Sequence, residues 1–116
     1  MTNFLYAGID SKKCEEFMHI VLCDIQRWSG EKSLGKIASS EKLRVHCVSF
    51  SNRSCLPFKE CDYLIIDTDF GNLDFRQTEK AYEIAEDMKR QLRPDAKLIT
   101  KRQFFEILKE MCEGGI

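Results

Sequence analysis

The pattern of hydrophobic and polar positions divides the chain into strand-like and helix-like segments. The strongest signal lies from Tyr63 to Asp67, where an apolar run rich in isoleucine ends abruptly in acid. An unbroken run of this kind is typical of a strand that is buried on both faces within a parallel sheet. We therefore expect this segment to be a central strand, and we expect Asp67 and Asp69 to mark where the chain leaves the core.

Three further segments have the pattern of strands. Asn3 to Ile9 is short and mostly apolar, and we expect Gly8 to let the chain turn sharply as it leaves the strand. Lys42 to Phe50 alternates apolar and polar residues, which predicts an edge strand with one buried face. Ala96 to Thr100 predicts a short last strand. The glycine- and serine-rich stretch 31–41 is predicted to be a loop.

The first helix is predicted from Lys12 to Trp28. Its apolar residues have the three-and-four spacing of one buried helical face, and either Asp10 or Ser11 can cap its first turn. The connection 51–60 is too short for a full crossover helix, although one helical turn would fit.

Capping signals place the other two helices. Asp74 and Gln77 have the spacing of a capping box, so the second helix is predicted to begin there, with the hydroxyl of Thr78 as an alternative start. It is expected to run to about Arg93, because the proline that follows disfavours helical geometry in the residue before it. Thr100 and Gln103 form a second capping box, which opens a third helix.

Composition and charge narrow the class of protein. The 116 residues are 43% hydrophobic and 32% charged, which is ordinary for a globular chain of one domain, 1–116. A net charge of −1 excludes the strong basic excess of many nucleic-acid-binding proteins, while a local basic patch for DNA stays open. There is no signal-peptide pattern and no apolar stretch long enough to cross a membrane. We therefore expect a cytoplasmic protein that does not contact a membrane.

The six cysteines do not have the spacing of a metal site. No pair is spaced C-x-x-C, and Cys55 with Cys61, together with His46 and Cys47, is a poor zinc ligand set. We expect reduced thiols, several of them buried, with structural zinc as the alternative. Neither His19 nor His46 has a Ser, Cys or Asp residue at a spacing typical of a catalytic triad, so the sequence does not indicate one. We accordingly expect no metal, no cofactor and no enzymatic activity.

The elements follow the order β-α-β-β-α-β-α. Right-handed crossovers then predict an α/β fold with a four-stranded parallel sheet flanked by helices on both faces. The chain resembles the BRCT domain, a small α/β interaction module of DNA repair and replication proteins. The resemblance lies in four segments: Leu5 to Gly8, Cys61 to Ile66, Gln77 to Ala81, and Ala96 to Phe105. It implies a non-enzymatic protein-interaction module with a protein partner, linked to DNA replication, DNA repair or a nucleoprotein complex.

The resemblance also suggests a phosphate- or partner-binding site. The phosphate-binding BRCT domains place Ser or Thr before the first-strand glycine and Lys near the start of the second helix. Here Ala7 precedes Gly8 and has no hydroxyl, whereas Lys80, with Arg76 one turn earlier, matches the second position. The alternative is that Arg76 and Lys80 are ordinary solvated residues of a helix start.

A second resemblance gives a rival function. The segment around Asp67, followed by a helix and a strand ending at Thr100, resembles the middle of a response-regulator receiver domain. There, an Asp at a strand end is phosphorylated, and Asp10 could stand for a metal-binding acid. The chain departs from that pattern because it lacks a fifth strand with its lysine, and because no full helix separates the second and third strands. A third hypothesis is a small standalone adaptor or inhibitor.

Overall fold

The computed structural model describes residues 2–29, 43–55 and 60–113. The predicted loop 31–41 lies outside these ranges. The elements in chain order are β1 (Thr2–Gly8), α1 (Ser11–Ser29), β2 (Leu43–Ser49), a 3₁₀ helix (Phe50–Cys55), β3 (Tyr63–Ile66), α2 (Phe75–Arg90), β4 (Lys97–Ile99) and α3 (Lys101–Glu113). The order β-α-β-β-α-β-α is as predicted.

The strands form one four-stranded sheet in the order β2-β1-β3-β4, and every neighbouring pair is parallel. Phe4 of β1 lies opposite Val45 of β2 on one side and Tyr63 of β3 on the other. The apolar run of β3 is thus an inner strand, and the alternating strand β2 is an edge, both as the sequence predicts.

Helices cover both faces of the sheet because successive strand residues point to opposite sides. On one face, Phe4 and Tyr6 pack with apolar residues of α1 and α3. On the other face, Leu5 and Ala7 pack with α2, and Phe50 of the 3₁₀ helix joins the same cluster. The predicted architecture, a parallel sheet flanked by helices on both faces, is confirmed.

All three helix starts are capped as predicted. The Asp10 side chain accepts a hydrogen bond from the Lys13 N–H at 2.9 Å. Both capping boxes are formed, as the reciprocal bonds between Asp74 and Gln77 and between Thr100 and Gln103 show.

The second helix ends earlier than predicted. It stops at Arg90, and the N–H of Gln91 caps it on the carbonyls of Met88 and Lys89. Arg93, expected inside the helix, instead donates to the carbonyl of Cys61 at 3.2 Å and the carboxylate of Asp62 at 2.9 Å. Arg93 thus lies beyond the end of α2, and its side chain joins this segment to the residues just before β3.

Gly8 is the last residue of β1, and the chain bends at the two residues that follow it. Gly8 does not have a positive φ; among the described residues only Gly71, in the segment after β3, has one, at 69°. A Cβ on Gly8 would lie 3.0 Å from Cε1 of Tyr6 and 3.1 Å from Cβ of Lys13. A side chain at position 8 would therefore crowd the Tyr6 ring and the Lys13 side chain, which glycine avoids.

The cysteines whose side chains are described are not joined by disulfides. Cys61 and Cys112 are buried, whereas Cys23 is exposed. The expectation of buried cysteines therefore holds for some of them and not for Cys23. Burial raises the pKa of the Cys47 thiol to about 12, which keeps it protonated at neutral pH. None of the described helices is long and apolar enough to cross a membrane.

We predict that Phe104→Ala lowers the free energy of unfolding by about 3–5 kcal/mol. Phe104 is fully buried, and its ring lies 5.0 Å from that of Phe4 and 5.2 Å from that of Phe17. Urea denaturation followed by circular dichroism measures the change. Phe75→Ala is the matched control, because the Phe75 side chain is 76% exposed and should lose little. Equal effects of the two substitutions would contradict this packing.

Candidate functional site

The carboxyl ends of the strands bring together a cluster of charged and hydrogen-bonding side chains. Tyr6 comes from β1, Asp67 and Asp69 follow β3, Lys101 follows β4, and Lys13 comes from the first turns of α1. In open parallel sheets this edge is where functional groups gather, because strand ends and helix starts converge there. We call these five residues the carboxyl-edge cluster.

Asp67 is the buried centre of this cluster, with 4% of its surface exposed. Its Oδ2 accepts a hydrogen bond from the Tyr6 hydroxyl at 2.5 Å and lies 3.1 Å from the Lys101 ammonium. Its Oδ1 accepts the N–H of Asp69 at 3.0 Å. Both carboxylate oxygens therefore have partners within the protein.

These contacts keep Asp67 ionised. Burial by itself would raise the pKa of Asp67, but the hydrogen bonds from Tyr6, Asp69 and Lys101 and the positive charge of Lys101 outweigh it, so the pKa lies below its ordinary value. Burial, and then the hydrogen bond to Asp67, raises the pKa of the Tyr6 hydroxyl. Tyr6 is thus held as a neutral donor and Asp67 as a charged acceptor.

Asp69 forms the outer part of the cluster. Its Oδ2 lies 2.7 Å from the Lys13 ammonium, and its Oδ1 accepts the N–H of Gly71 at 3.3 Å. The hydrogen bond to Asp69 raises the pKa of Lys13. Asp69 therefore caps the turn that leaves β3, as expected for an acid that ends a strand.

The structure corrects one expectation for Asp67 and adds two partners. Asp67 does not leave the core: it stays buried because the Tyr6 hydroxyl donates a hydrogen bond to it and the Lys101 ammonium balances its charge. The sequence pattern marks Tyr6 only as an apolar strand residue and offers no fifth strand with the lysine of a receiver domain, yet Lys101, just after β4, lies 3.1 Å from Asp67. The register explains this contact: Ile65 lies opposite Ile99 in the parallel pair, so Asp67 and Lys101, each two residues further on, lie side by side. The hydrophobic pattern does not encode that register.

Of the three candidate phosphate-binding residues, Gly8 ends β1 and Arg76 and Lys80 lie on α2, and their binding of phosphate stays a prediction. Arg76 and Lys80 are exposed on α2, and within the described parts of the chain neither forms an ion pair or a side-chain hydrogen bond. The side chains nearest to a Cβ placed on Gly8 are those of Tyr6 and Lys13. Gly8 therefore lies beside the carboxyl-edge cluster, and Arg76 and Lys80 are exposed to solvent.

A second feature is a groove of about 480 Å³ between α2 and the end of the sheet. The α2 wall includes Tyr82 and Ala85, and the opposite wall includes Leu98 of β4 and the first turn of α3. The side chains of Leu98 and Tyr82 are 47% and 52% exposed, although both are large and hydrophobic. We call this feature the β4–α2 groove. Within the described residues, no group of three or more His, Cys, Asp or Glu side chains is placed to hold a metal ion.

Fold and site together define a small α/β protein with an all-parallel sheet, a neutralised acidic cluster at the strand ends and an open groove beside it. Comparison of the chain with models of known protein families, with curated proteins and with solved structures found no match.

We predict that Tyr6→Phe lowers the free energy of unfolding by about 1.5–3 kcal/mol, the usual value for a hydrogen bond to a charged group. The substitution removes the donor at 2.5 Å and leaves Asp67 buried with one partner fewer. Chemical denaturation measures the loss. Tyr63→Phe is the control, because the half-buried Tyr63 ring stacks on Phe4 at 5.1 Å and its hydroxyl has no partner among the described residues. A loss in the control as large as in Tyr6→Phe would contradict the role of the Tyr6 hydroxyl.

The lowered pKa of Asp67 also predicts the acid dependence of stability. The unfolded chain, where the Asp pKa is near 3.8, binds a proton more readily than the folded chain, so the Asp67 contribution is present above that pH and is lost as pH falls through the lower folded pKa. In Asp67→Asn this part of the dependence should disappear. Urea midpoints measured across a series of acidic pH values should therefore fall less steeply in Asp67→Asn than in the wild type. Parallel curves for the two proteins would show that Asp67 is not the group responsible.

Proposed function

We propose that this chain is a non-enzymatic protein-interaction module similar to BRCT domains, acting in the cytoplasm within a DNA replication, DNA repair or other nucleoprotein complex. The fold supports the proposal, because a four-stranded parallel sheet with helices on both faces is what that resemblance implies. The partner is a protein. Arg76 and Lys80, both exposed, are available for a local contact with DNA phosphates.

The observation that carries this proposal is the β4–α2 groove. Two large hydrophobic side chains, Leu98 and Tyr82, remain about half exposed on its opposite walls. Monomeric proteins seldom leave apolar side chains clustered around a concave surface unless that surface binds something. The groove also lies next to β4, the strand at the end of the sheet.

The carboxyl-edge cluster supports the non-enzymatic part of the proposal. A nucleophilic carboxylate has to present a free oxygen to its substrate. Here both oxygens of Asp67 accept hydrogen bonds from the protein, and only 4% of the residue is exposed. These contacts favour a structural role.

One observation favours the rival phosphoacceptor function. Lys101, preceded by Thr100, lies 3.1 Å from Asp67 and supplies a cation that could stabilise charge on a phosphoryl group. Phosphorylation would require Asp67 to exchange the Tyr6 hydroxyl for solvent access. A phosphoacceptor would therefore have to break the hydrogen bond between Tyr6 and Asp67, whereas an interaction module keeps it.

The first test separates these functions. The intact protein is incubated with acetyl phosphate and Mg²⁺, and its mass is measured directly under mild conditions. We expect no phosphoryl adduct, because the Asp67 oxygens are engaged within the protein. An adduct that forms in the wild type and is absent in Asp67→Asn would contradict the interaction module and support the phosphoacceptor function.

The second test looks for the partner itself. A photo-reactive phenylalanine analogue replaces Leu98 in the whole chain, expressed in its own host cells, and crosslinked products are identified by mass spectrometry. We expect a small set of discrete protein adducts. The same analogue in place of Glu15, which is exposed on α1 away from the groove, is the control. Identical products from both positions, or none from position 98, would contradict an interaction function for the groove.

A further inference from the structure

The outer face of α1 carries a histidine and a cysteine side by side. His19 and Cys23 are about one helical turn apart, so both side chains project from the same face of the helix. Nε2 of His19 lies 3.7 Å from Sγ of Cys23, and both residues are exposed. Phe17 and Val21, by contrast, belong to the face of α1 that packs in the core. The pair is therefore open to a ligand from solvent.

The spacing of the two atoms is that of two ligands on one zinc ion. Zinc binds a thiolate sulfur at about 2.3 Å and an imidazole nitrogen at about 2.0–2.1 Å, so a tetrahedral ion holds these two atoms about 3.6 Å apart. The separation of 3.7 Å between His19 and Cys23 is close to that value. Two ligands four residues apart on one helix face also occur in helical zinc motifs. A thiolate and an imidazole suit zinc, whereas magnesium and calcium prefer oxygen ligands.

Each chain supplies half of a closed zinc site. Structural zinc is almost always held by four protein ligands. Within the described residues, no group of three or more His, Cys, Asp or Glu side chains is placed to hold a metal ion. An ion held by His19 and Cys23 therefore has two positions for ligands from another molecule. The same pair from a second copy of this chain, related by two-fold symmetry, fills them and gives a Cys₂His₂ set.

The charges along α1 fit a second copy in the antiparallel direction. An antiparallel crossing centred on the pair places His19 opposite Cys23 of the second copy. It also places Glu15 opposite Arg27, because each lies four residues outside the pair. Glu15 is exposed and forms no ion pair with any described residue. The Arg27 side chain is 73% exposed, and its contact with Asp24 of the same helix is long, at 3.9 Å. Opposite charges thus face each other on both sides of the metal.

Two apolar side chains lie on either side of the pair. Ile20 and Leu22 are 48% and 38% exposed, and they are the exposed large hydrophobic residues of α1. A second helix packed over His19 and Cys23 would remove part of both side chains from water, which favours the contact.

We infer that His19 and Cys23 form half of a zinc site, which a second copy of this chain completes through an antiparallel contact between the two α1 helices. Each Cys23 thiol releases its proton to solvent as its sulfur binds the metal. The inference goes beyond the proposed interaction function and does not rest on it, because none of the residues lining the β4–α2 groove belongs to α1.

The test uses the whole protein, kept reduced, and Co²⁺ as a visible substitute for Zn²⁺. We expect a thiolate-to-cobalt absorption band and the intense visible bands of a tetrahedral ion, saturating at one Co²⁺ for two chains. Added Zn²⁺ should displace the cobalt, because zinc binds such sites more tightly. Analytical ultracentrifugation should show a dimer with Zn²⁺ and a monomer after a chelator is added.

Substitution of the ligands locates the site. His19→Gln and Cys23→Ser should each weaken Co²⁺ binding by roughly tenfold or more and abolish the zinc-dependent dimer. His46→Gln is the matched control, since His46 is the other histidine of the chain and is also exposed, on β2. It should leave both the cobalt spectrum and the dimer unchanged.

A charge exchange tests the antiparallel direction. Arg27→Glu should weaken the zinc-dependent dimer, because it places two acids opposite each other. The double variant Glu15→Arg with Arg27→Glu restores opposite charges only in the antiparallel contact, so it should recover the dimer. Circular dichroism checks that both variants remain folded. A double variant that is as weak as the single one would reject this contact.

Other outcomes overturn the inference. Cobalt spectra that are unchanged in both His19→Gln and Cys23→Ser would place the metal elsewhere. Saturation at one Co²⁺ per chain in a monomer would show that a second copy contributes no ligand. A dimer that survives the chelator would not depend on zinc. None of these results affects crosslinking from position 98, so the proposed function would stand if this inference failed.

Discussion

The buried carboxylate of Asp67 is the constraint on which the carboxyl edge of the sheet depends. A charge removed from water is costly unless donors replace its hydration, and here the donors come from three parts of the chain. The Tyr6 hydroxyl belongs to β1, the Asp69 N–H to the turn after β3, and the Lys101 ammonium to the start of α3. Each donor reaches the Asp67 carboxylate only when the element that carries it is in its native position. The cluster therefore fixes two strand ends and a helix start relative to one another, and the absence of a side chain at Gly8 makes room for the tyrosine ring.

The opposite end of β3 is held by a second acid. Asp62 accepts the Asn3 N–H at 2.8 Å and the Arg93 guanidinium at 2.9 Å, and it thereby joins β1 to the segment that follows α2. The hydrogen bond from Asn3, with the Arg93 contact, lowers the pKa of Asp62. Its side chain is 36% exposed, so solvent weakens this pair relative to the buried Asp67 cluster. The apolar length of β3, with Leu64 and Ile65 fully buried, lies between these two polar attachments.

Local signals explain why the fold could be predicted and the cluster could not. The capping residues Asp10, Asp74 and Thr100 act over three or four positions, so each helix start was readable from a short window. The apolar run of β3 needed only the rule that unbroken runs are buried on both faces. The bond between Tyr6 and Asp67, by contrast, joins residues 61 apart, and its existence depends on strand order, which periodicity does not encode. The contact of Arg93 with Asp62, beyond the end of α2, likewise joins residues that are distant in sequence.

The position of β1 has a consequence for how the chain acquires its structure. This first strand pairs with β2 on one side and β3 on the other, so neither of its edges is satisfied by its immediate sequence neighbour α1. The chain loses the entropy of closing the loop from residue 2 to residue 66 before the pairing of β1 with β3 contributes any stability. Such distant parallel contacts slow folding. During ribosomal synthesis β1 therefore emerges long before its partners. Until β3 has left the exit tunnel, the edge of β1 that pairs with β3 in the finished sheet lacks that partner.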